Sequence, residues 1–331
     1  MDSRTRLRHT LSFERGCVPP RYESEFSDDV VRAWRNRGCL DHRSPEEFFG
    51  LDPREQLGIT WRRSGGEKAP IESKADLDSF RHAYDPASAD RLPEDFREKT
   101  DRWRTRDFAV FGAPWNEGFL QVIGVSDSDS LRRALVALCE QPKLVAGAME
   151  HYADYLEALL EKVLPAVALD YAVFYEPIAC NKAPVVSPSC YARFVLPALR
   201  RVVSILDRHG VAFRFIWTAG QVRPLIPLWL DAGINGLHLN QGSLAGIAYG
   251  DLRAEFGKNL LLWGGVNWQA IVAGPEVLDA FLDNQVRPLL ETGGYIPHMD
   301  DTVRAYMPFE SFAHYRRRLD AVIAEVCGGR G

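Results

Sequence analysis

Apolar and polar positions change their rhythm near residue 107. Before it, from Met1 to Arg106, the chain is charged and irregular, with short helical patterns at Asp28–Arg37 and Pro45–Phe49. Ser64–Lys68 (SGGEK) reads as a polar turn, and Arg81–Lys99 as a charged loop carrying two prolines. From Asp107 onward, short apolar runs alternate with long amphipathic stretches, the pattern of parallel βα units. The runs that predict strands are Phe108–Gly112, Tyr171–Tyr175, Ala212–Trp217, Gly236–Leu239, Leu260–Trp263 and Gly294–Pro297.

The helices between them carry their own punctuation. Ser187 before Pro188 is an N-cap followed by proline at the first helical position, and Gly210 closes that helix. Pro197 falls inside it and removes a backbone donor, so a kink is expected there. Asp127 or Asp129 opens a helix whose Leu131, Leu135 and Leu138 share one face, and Pro142 marks the break before the next, about Lys143–Val163. Asp231, Gly233 and Gly236 sit where a helix must end and a strand begin. Repeated strand and helix favour a closed barrel or an open doubly wound sheet, and no G-x-G-x-x-G follows any strand to support a dinucleotide fold.

Composition narrows the function. With 46% hydrophobic and 26% charged residues, the chain of 331 can bury a large core. A net charge of -5 gives no long-range pull on nucleic acid or anionic lipid, so neither is an expected partner. The six cysteines are scattered without a Cys-x-x-Cys pair, as in a reducing compartment. The arginine-rich start MDSRTRLRHTLSFERG has no apolar stretch for a signal peptide, and no later segment has the length of a membrane span. A cytoplasmic location is expected.

Several blocks resemble one family. They are RHTLSFERGCVPPRYE (Arg8–Glu23), KAPVVSP (Lys182–Pro188), FVLPALRR (Phe194–Arg201), FIWTAG (Phe215–Gly220), LIPLWLDAGINGL (Leu225–Leu237), LLLWGGVNWQAIVAGP (Leu260–Pro275) and GGYIPHMDD (Gly293–Asp301). In this order they are similar to the uroporphyrinogen decarboxylase superfamily, which also holds zinc-dependent methyltransferases working with corrinoids and thiols. The resemblance implies an α/β fold, a (β/α)8 TIM barrel with an irregular, partly helical N-terminal extension. Residues 1–106 would be a decorating segment and 107–331 the main part of the barrel, in one structural domain. The active site would lie among loops at the C-terminal ends of the strands.

Polar residues do follow the apolar runs: Glu176 and Cys180, Trp217, Asn240 and Gln241, Asn267, then His298, Asp300 and Asp301. The methyltransferase branch places a His-x-Cys-Gly turn and a distant Cys around zinc. Here the matching turn is Trp217, Thr218, Ala219, Gly220, and the distant position matches Asp301, so a metal-free site without cofactor is expected. A relocated site from Cys180, His238, His298 and Asp300 is the other reading. The stretch PPRYESEF (Pro19–Phe26) has Arg21 and two glutamates where the porphyrin decarboxylase holds carboxylates with arginines, which argues against uroporphyrinogen itself as substrate.

Glu176, His298 and Asp301 are the expected acid/base groups, with Tyr175, Cys180, Trp217, Asn240, Gln241, Asn267 and Asp300 around the substrate. Glu176 reads equally well as a carboxylate tying down the next loop, and strand alternation argues against Tyr175 and Glu176 both pointing inward. For His298, a proton shuttle oriented by Asp300 or Asp301 stands against a plain surface histidine. Cys180 reads as a nucleophile or a small buried side chain, Trp217 as a pocket wall, His238 as a satisfied core group, and Arg316–Arg318 as a solvated helix face. The expected activity is a metal-independent lyase, decarboxylating or otherwise breaking a carbon bond in a small organic acid or ring compound. The alternatives are a methyltransferase with altered metal ligands and a corrinoid protein partner, or a non-catalytic barrel that binds a small molecule. The resemblance allows a homodimer.

Overall fold

The computed structural model describes residues 1–61 and 69–328, so the expected turn at Ser64–Lys68 lies outside the described residues. Seven strands form one all-parallel sheet in chain order. They are β1 (Arg54–Gln56), β2 (Ala109–Trp115), β3 (Tyr171–Tyr175), β4 (Arg214–Ala219), β5 (Gly236–Asn240), β6 (Leu261–Gly264) and β7 (Tyr295–Ile296). All six expected strands form, shifted by at most a few residues. β1 is added from the charged N-terminal part, where three polar residues give no apolar signal.

The sheet curls but its ladder does not close into eight strands, so the barrel expectation is met in part. Between β7 and β1 runs an extended segment at residues 19–26, tied by single bonds. Val303 N–H donates to Glu25 O and Ser27 N–H to Val303 O on one side, and Asp52 N–H donates to Arg21 O on the other. Tyr22 of this segment stacks on Trp263 of β6 across the inside of the curl, with ring centroids 5.5 Å apart.

Strand alternation separates two apolar cores. One faces the helices and includes Val110, Ala172, Phe174, Ile216, Leu237, Leu239 and Leu262. The other fills the inside of the curl with Ala109, Tyr171, Val173, Phe215, Leu261, Trp263 and Ile296. Leu7 and Leu11 of the helix Ser3–Leu11 join the inner core, so this helix seals the N-terminal end of the strands. Beneath it, Arg4, Arg8 and Arg106 all pair with the buried Asp170 at the foot of β3; burial raises its carboxyl, but Arg4, the Val110 N–H and Arg106 together hold it below the usual range. The opposite, C-terminal end is left open.

The helices follow the expected punctuation. Asp127 caps Ser128–Glu140 by accepting from Ser130 N–H, and Ser187 caps Pro188–Phe194 by accepting from Cys190 N–H. Pro197 does more than kink its helix: the chain breaks at Val195, and a second helix, Leu196–Arg208, begins with the proline in its first turn. Arg81–Lys99 is not one loop, because the helix Lys74–Ala83 covers its start and Phe96–Arg102 its end. Among the described residues no helix is long and apolar enough to cross a membrane.

Candidate functional site

Residues in register on parallel strands face the same side, and here that places aromatic rings side by side. Tyr175 pairs with Trp217, Trp217 with His238, and His238 with Trp263. Their ring centroids follow at 5.4, 6.4 and 6.0 Å, and Tyr22 continues the belt from Trp263. Asn240, two residues beyond His238, is on the same face of β5 nearer the open end. Tyr175, Trp217, His238, Asn240 and Arg54 are all partly exposed although they face into the curl, so solvent reaches this lumen from the C-terminal side.

Two kinds of polar group interrupt the belt. The Arg54 guanidinium lies 5.1 Å from the Tyr22 ring and 5.4 Å from the Trp263 ring, a cation held over aromatic faces, and it also donates to Glu23 O. His298, 1% exposed, meets His238 with centroids 4.9 Å apart. His298 Nδ1 lies 2.6 Å from Met299 O and 3.1 Å from Ser24 Oγ. A carbonyl only accepts, so these partners assign the proton to Nδ1 and leave Nε2 with its lone pair. That Nε2 is buried and has no hydrogen-bond partner, and the same is true of Tyr22 OH and Trp263 Nε1 in the same lumen. Burial pushes His298 down to about 4, with the Glu23 carboxylate pulling the other way and Arg54 reinforcing the fall. Burial, then the neighbouring His298 and Arg54, hold His238 well below the ordinary imidazole range. Both rings are neutral at pH 7.

Behind His298 stands a buried ion pair. Glu23 Oε2 accepts from Arg316 Nη1 at 2.9 Å, and its Oε1 accepts from Met299 N–H and Ser24 N–H, each at 2.9 Å. Glu23 is therefore compensated and is no free acid at the mouth, and Arg316, 3% exposed, is not on a solvated face. Arg318 pairs with Asp279, Asp283 and Glu325. Arg21 turns outward to Asp320 and Phe49 O, so the arginine in the lumen is Arg54.

The expected site residues divide into groups. Tyr175, Trp217, Asn240 and His298 meet in the lumen. His298 is not a surface histidine, and its orienting partners are Ser24, Met299 and Glu23 instead of Asp300 or Asp301. Gln241, Asn267, Asp300 and Asp301 meet at the rim. There Asp301 accepts from Gln241 Nε2 (2.8 Å), Tyr306 OH (3.0 Å) and Thr302 N–H (2.8 Å). Asp300 accepts from Trp268 N–H and Ser243 OH, and Asn267 caps the helix Trp268–Ala273.

Glu176 and Cys180 stand apart. Tyr175 faces inward, so Glu176 turns toward the helices, where it is fully buried and accepts from Phe119 N–H (2.8 Å), Trp115 Nε1 (3.2 Å) and Tyr191 OH (3.2 Å). An irregularity in the register of β2 between Gly112 and Trp115 rotates Trp115 to that side. Burial pushes Glu176 up to about 7 against these three donors. This geometry is that of the carboxylate tying a loop. Cys180 is neither buried nor in the lumen: it is exposed on the loop after β3, its thiol near Ala183 O.

The donor set does not fit the zinc that the methyltransferase branch implies. Thr218 Oγ1 donates to Glu176 O on the outer side, Ala219 and Gly220 have no ligand atoms, and Asp301 is already engaged by three donors. Of Cys180, His238, His298 and Asp300 only the two histidines meet, and among the described residues no three metal-ligating side chains gather.

Sequence reading missed Tyr22, Glu23, Arg54, Trp263 and the use of His238 and Arg316. The signal for Arg316 was present: Phe312, Tyr315, Leu319 and Ile323 share its buried stripe at helical spacing.

Comparison with known proteins agrees with the fold. No curated protein matches the sequence. A solved structure described as a methyltransferase from Methanosarcina mazei superposes with a TM-score of 0.57 at 16% identity, covering 98% of this chain and 99% of that one. A Xaa-Pro dipeptidase with bound methionine gives a TM-score of 0.28 at 13% identity over 84% of this chain and 74% of its own. The family model for uroporphyrinogen decarboxylase (URO-D) matches residues 98–311, about two thirds of the chain and every strand but β1. The chain belongs to the uroporphyrinogen decarboxylase family.

Proposed function

We propose that this chain is a lyase-type enzyme that breaks a carbon bond in a ring-bearing carboxylic acid bound in the lumen. The observation that carries the reading is the buried, unpartnered Nε2 of His298 beside the Arg54 guanidinium, inside a belt of aromatic rings. Buried polar atoms are satisfied as a rule, and three that lack a partner lie together behind the partly exposed aromatic belt, which supports the reading because a substrate's polar atoms would satisfy them. Arg54 supplies a fork of donors suited to a carboxylate, and Tyr22, Tyr175, Trp217 and Trp263 supply flat apolar walls for a ring.

The chemistry follows from the neutral imidazole. His298 Nε2 takes a proton from a substrate hydroxyl or equivalent group, the adjacent carbon bond breaks, and the imidazolium returns that proton to the carbon that keeps the electron pair. Glu23 stabilises the transient imidazolium from 3.8 Å. Asn240 is placed to orient polar substrate atoms, while Glu176 and Asp301 hold the loops that frame the lumen. The test is a panel of aromatic and alicyclic hydroxy and keto acids, assayed for carbon dioxide or cleavage product with wild type and His298→Ala. Turnover that His298→Ala abolishes supports the reading, and turnover unchanged in that variant refutes it.

Methyl transfer is the second reading, favoured by the full-length correspondence with the Methanosarcina mazei structure, whose name carries that activity. It requires a metal with ligands beyond the His238 and His298 pair. Stoichiometric zinc in the purified protein, lost in His238→Ala, would favour it over the metal-free reading.

A further inference from the structure

A second cavity lies outside the ring of strands. It has a volume of about 280 Å³ and opens between the loops after β5 and β6 and the helical stretch that carries Phe281, Val286 and Leu289. Gly264, Gly265 and Tyr249 separate it from the lumen, with Tyr249 OH donating to Trp263 O and accepting from Leu239 N–H. Its walls are apolar: Ile247, Phe281, Val286, Leu289 and the Tyr295 ring. Asp300, 2% exposed, is the one carboxylate residue lining it, and no Lys, Arg or His is among the lining residues.

Two features stand at the mouth of this space. Gly250 lies in the first turn of the helix Tyr249–Phe256 without a positive φ, so the backbone makes no demand for glycine there. Gly250 is exposed and lines the cavity at its mouth, where a Cβ would meet only Gln285 Oε1, at 3.9 Å. Gln285 itself is set at the exposed rim by a π-helical turn, Leu282–Val286, an irregularity often found at functional sites.

We propose that this cavity is a second small-molecule site, taking a primary amine on an aromatic or branched aliphatic body. The ammonium would lie against Asp300, whose oxygens accept from Trp268 N–H and Ser243 OH and keep lone pairs for further donors. The body would fill the space between Phe281, Val286 and Leu289. An anion finds no cation in this lining, so charge sets the selectivity.

The experiment titrates tryptamine and indole-3-acetate, one ring system with opposite charges, by calorimetry and saturation-transfer NMR. The proteins are wild type, Arg54→Ala, Gly250→Leu and Gln285→Trp. Tryptamine should bind wild type and Arg54→Ala alike and lose at least tenfold in affinity in Gly250→Leu, whose side chain would cover the mouth of the cavity. Gln285→Trp, at the exposed rim, narrows the mouth and decides the matter if Gly250→Leu does not fold. Indole-3-acetate should be indifferent to both cavity variants. No tryptamine binding, binding untouched by the cavity variants, or equal losses for both ligands would each overturn the proposal. Because Arg54 serves only the lumen, an effect confined to Arg54→Ala would bear on the lyase reading and not on this site.

Discussion

Replacing Arg316 by methionine tests the most consequential buried interaction. Arg316 and Glu23 are both buried and meet at 2.9 Å, and methionine keeps much of the apolar stem while removing the charge. The Glu23 carboxylate then retains only the N–H groups of Ser24 and Met299. An uncompensated buried charge of this kind costs about 3–5 kcal/mol. With a urea m-value near 3 kcal/mol/M, Arg316→Met should lower the unfolding midpoint by roughly 1–1.7 M. Adding Glu23→Gln should recover much of the loss, because a neutral pair leaves no stranded charge. The local sign is fixed as well: Arg316 pushes His298 down and Glu23 pulls it up, so Arg316→Met must raise the His298 pKa from about 4 and Glu23→Gln must lower it further. Urea unfolding with tryptophan fluorescence reads the first effect and histidine NMR the second. A loss below about 1 kcal/mol, no rescue by Glu23→Gln, or a His298 shift of the opposite sign would refute the reasoning.

Three further outcomes follow from the same geometry. Glu176, raised by burial to about 7 from an ordinary value of 4.5, binds more protons in the native than in the unfolded state between those values, so its contribution to stability falls as pH rises from 4.5 to 7. Glu176→Gln should remove that decline, worth up to about 3 kcal/mol, and thermal melts across the range would show an unchanged slope if the idea is wrong. His298 acts in the opposite sense: with its native value depressed to about 4, it contributes stability above pH 6.5 that is lost as pH falls from 6.5 to 4, and His298→Phe should flatten that acid limb. Asp170→Ala strands the charge of the buried Arg106 at the sealed end of the sheet and removes the partner of Arg4 and Arg8, and should cost about 3 kcal/mol or more in denaturant unfolding; a cost under about 1 kcal/mol would show that these pairs are solvated.

How much of this could be read from the sequence depended on how strongly each residue's surroundings are local. Tyr171–Tyr175 and Gly236–Asn240 carry β-branched, aromatic or aliphatic runs ended by turn residues, and their strands form as expected. Arg54–Gln56 is a strand only because it pairs with Ala109–Phe111, a long-range contact that three polar residues do not announce. The outward turn of Glu176 was implicit in the inward turn of Tyr175. What fixed its surroundings was the register irregularity in β2 that brings Trp115 to it, and no local pattern shows that. The lumen cation was hardest to see, because Arg54, Tyr22 and Trp263 are far apart in the chain and meet only when the sheet curls.

A lyase working in this lumen needs a neutral His298 whose Nε2 faces the Arg54 side. The direct measurement is ¹⁵N NMR of the His298 imidazole from pH 3 to 8, repeated with a soluble aromatic carboxylate in wild type and in Arg54→Ala. The expected result is a bare Nε2 at pH 7, titration near 4, and a ligand-induced shift that disappears in Arg54→Ala. Titration near 6.5, a proton on Nε2 at pH 7, or a ligand response that persists without Arg54 would contradict it.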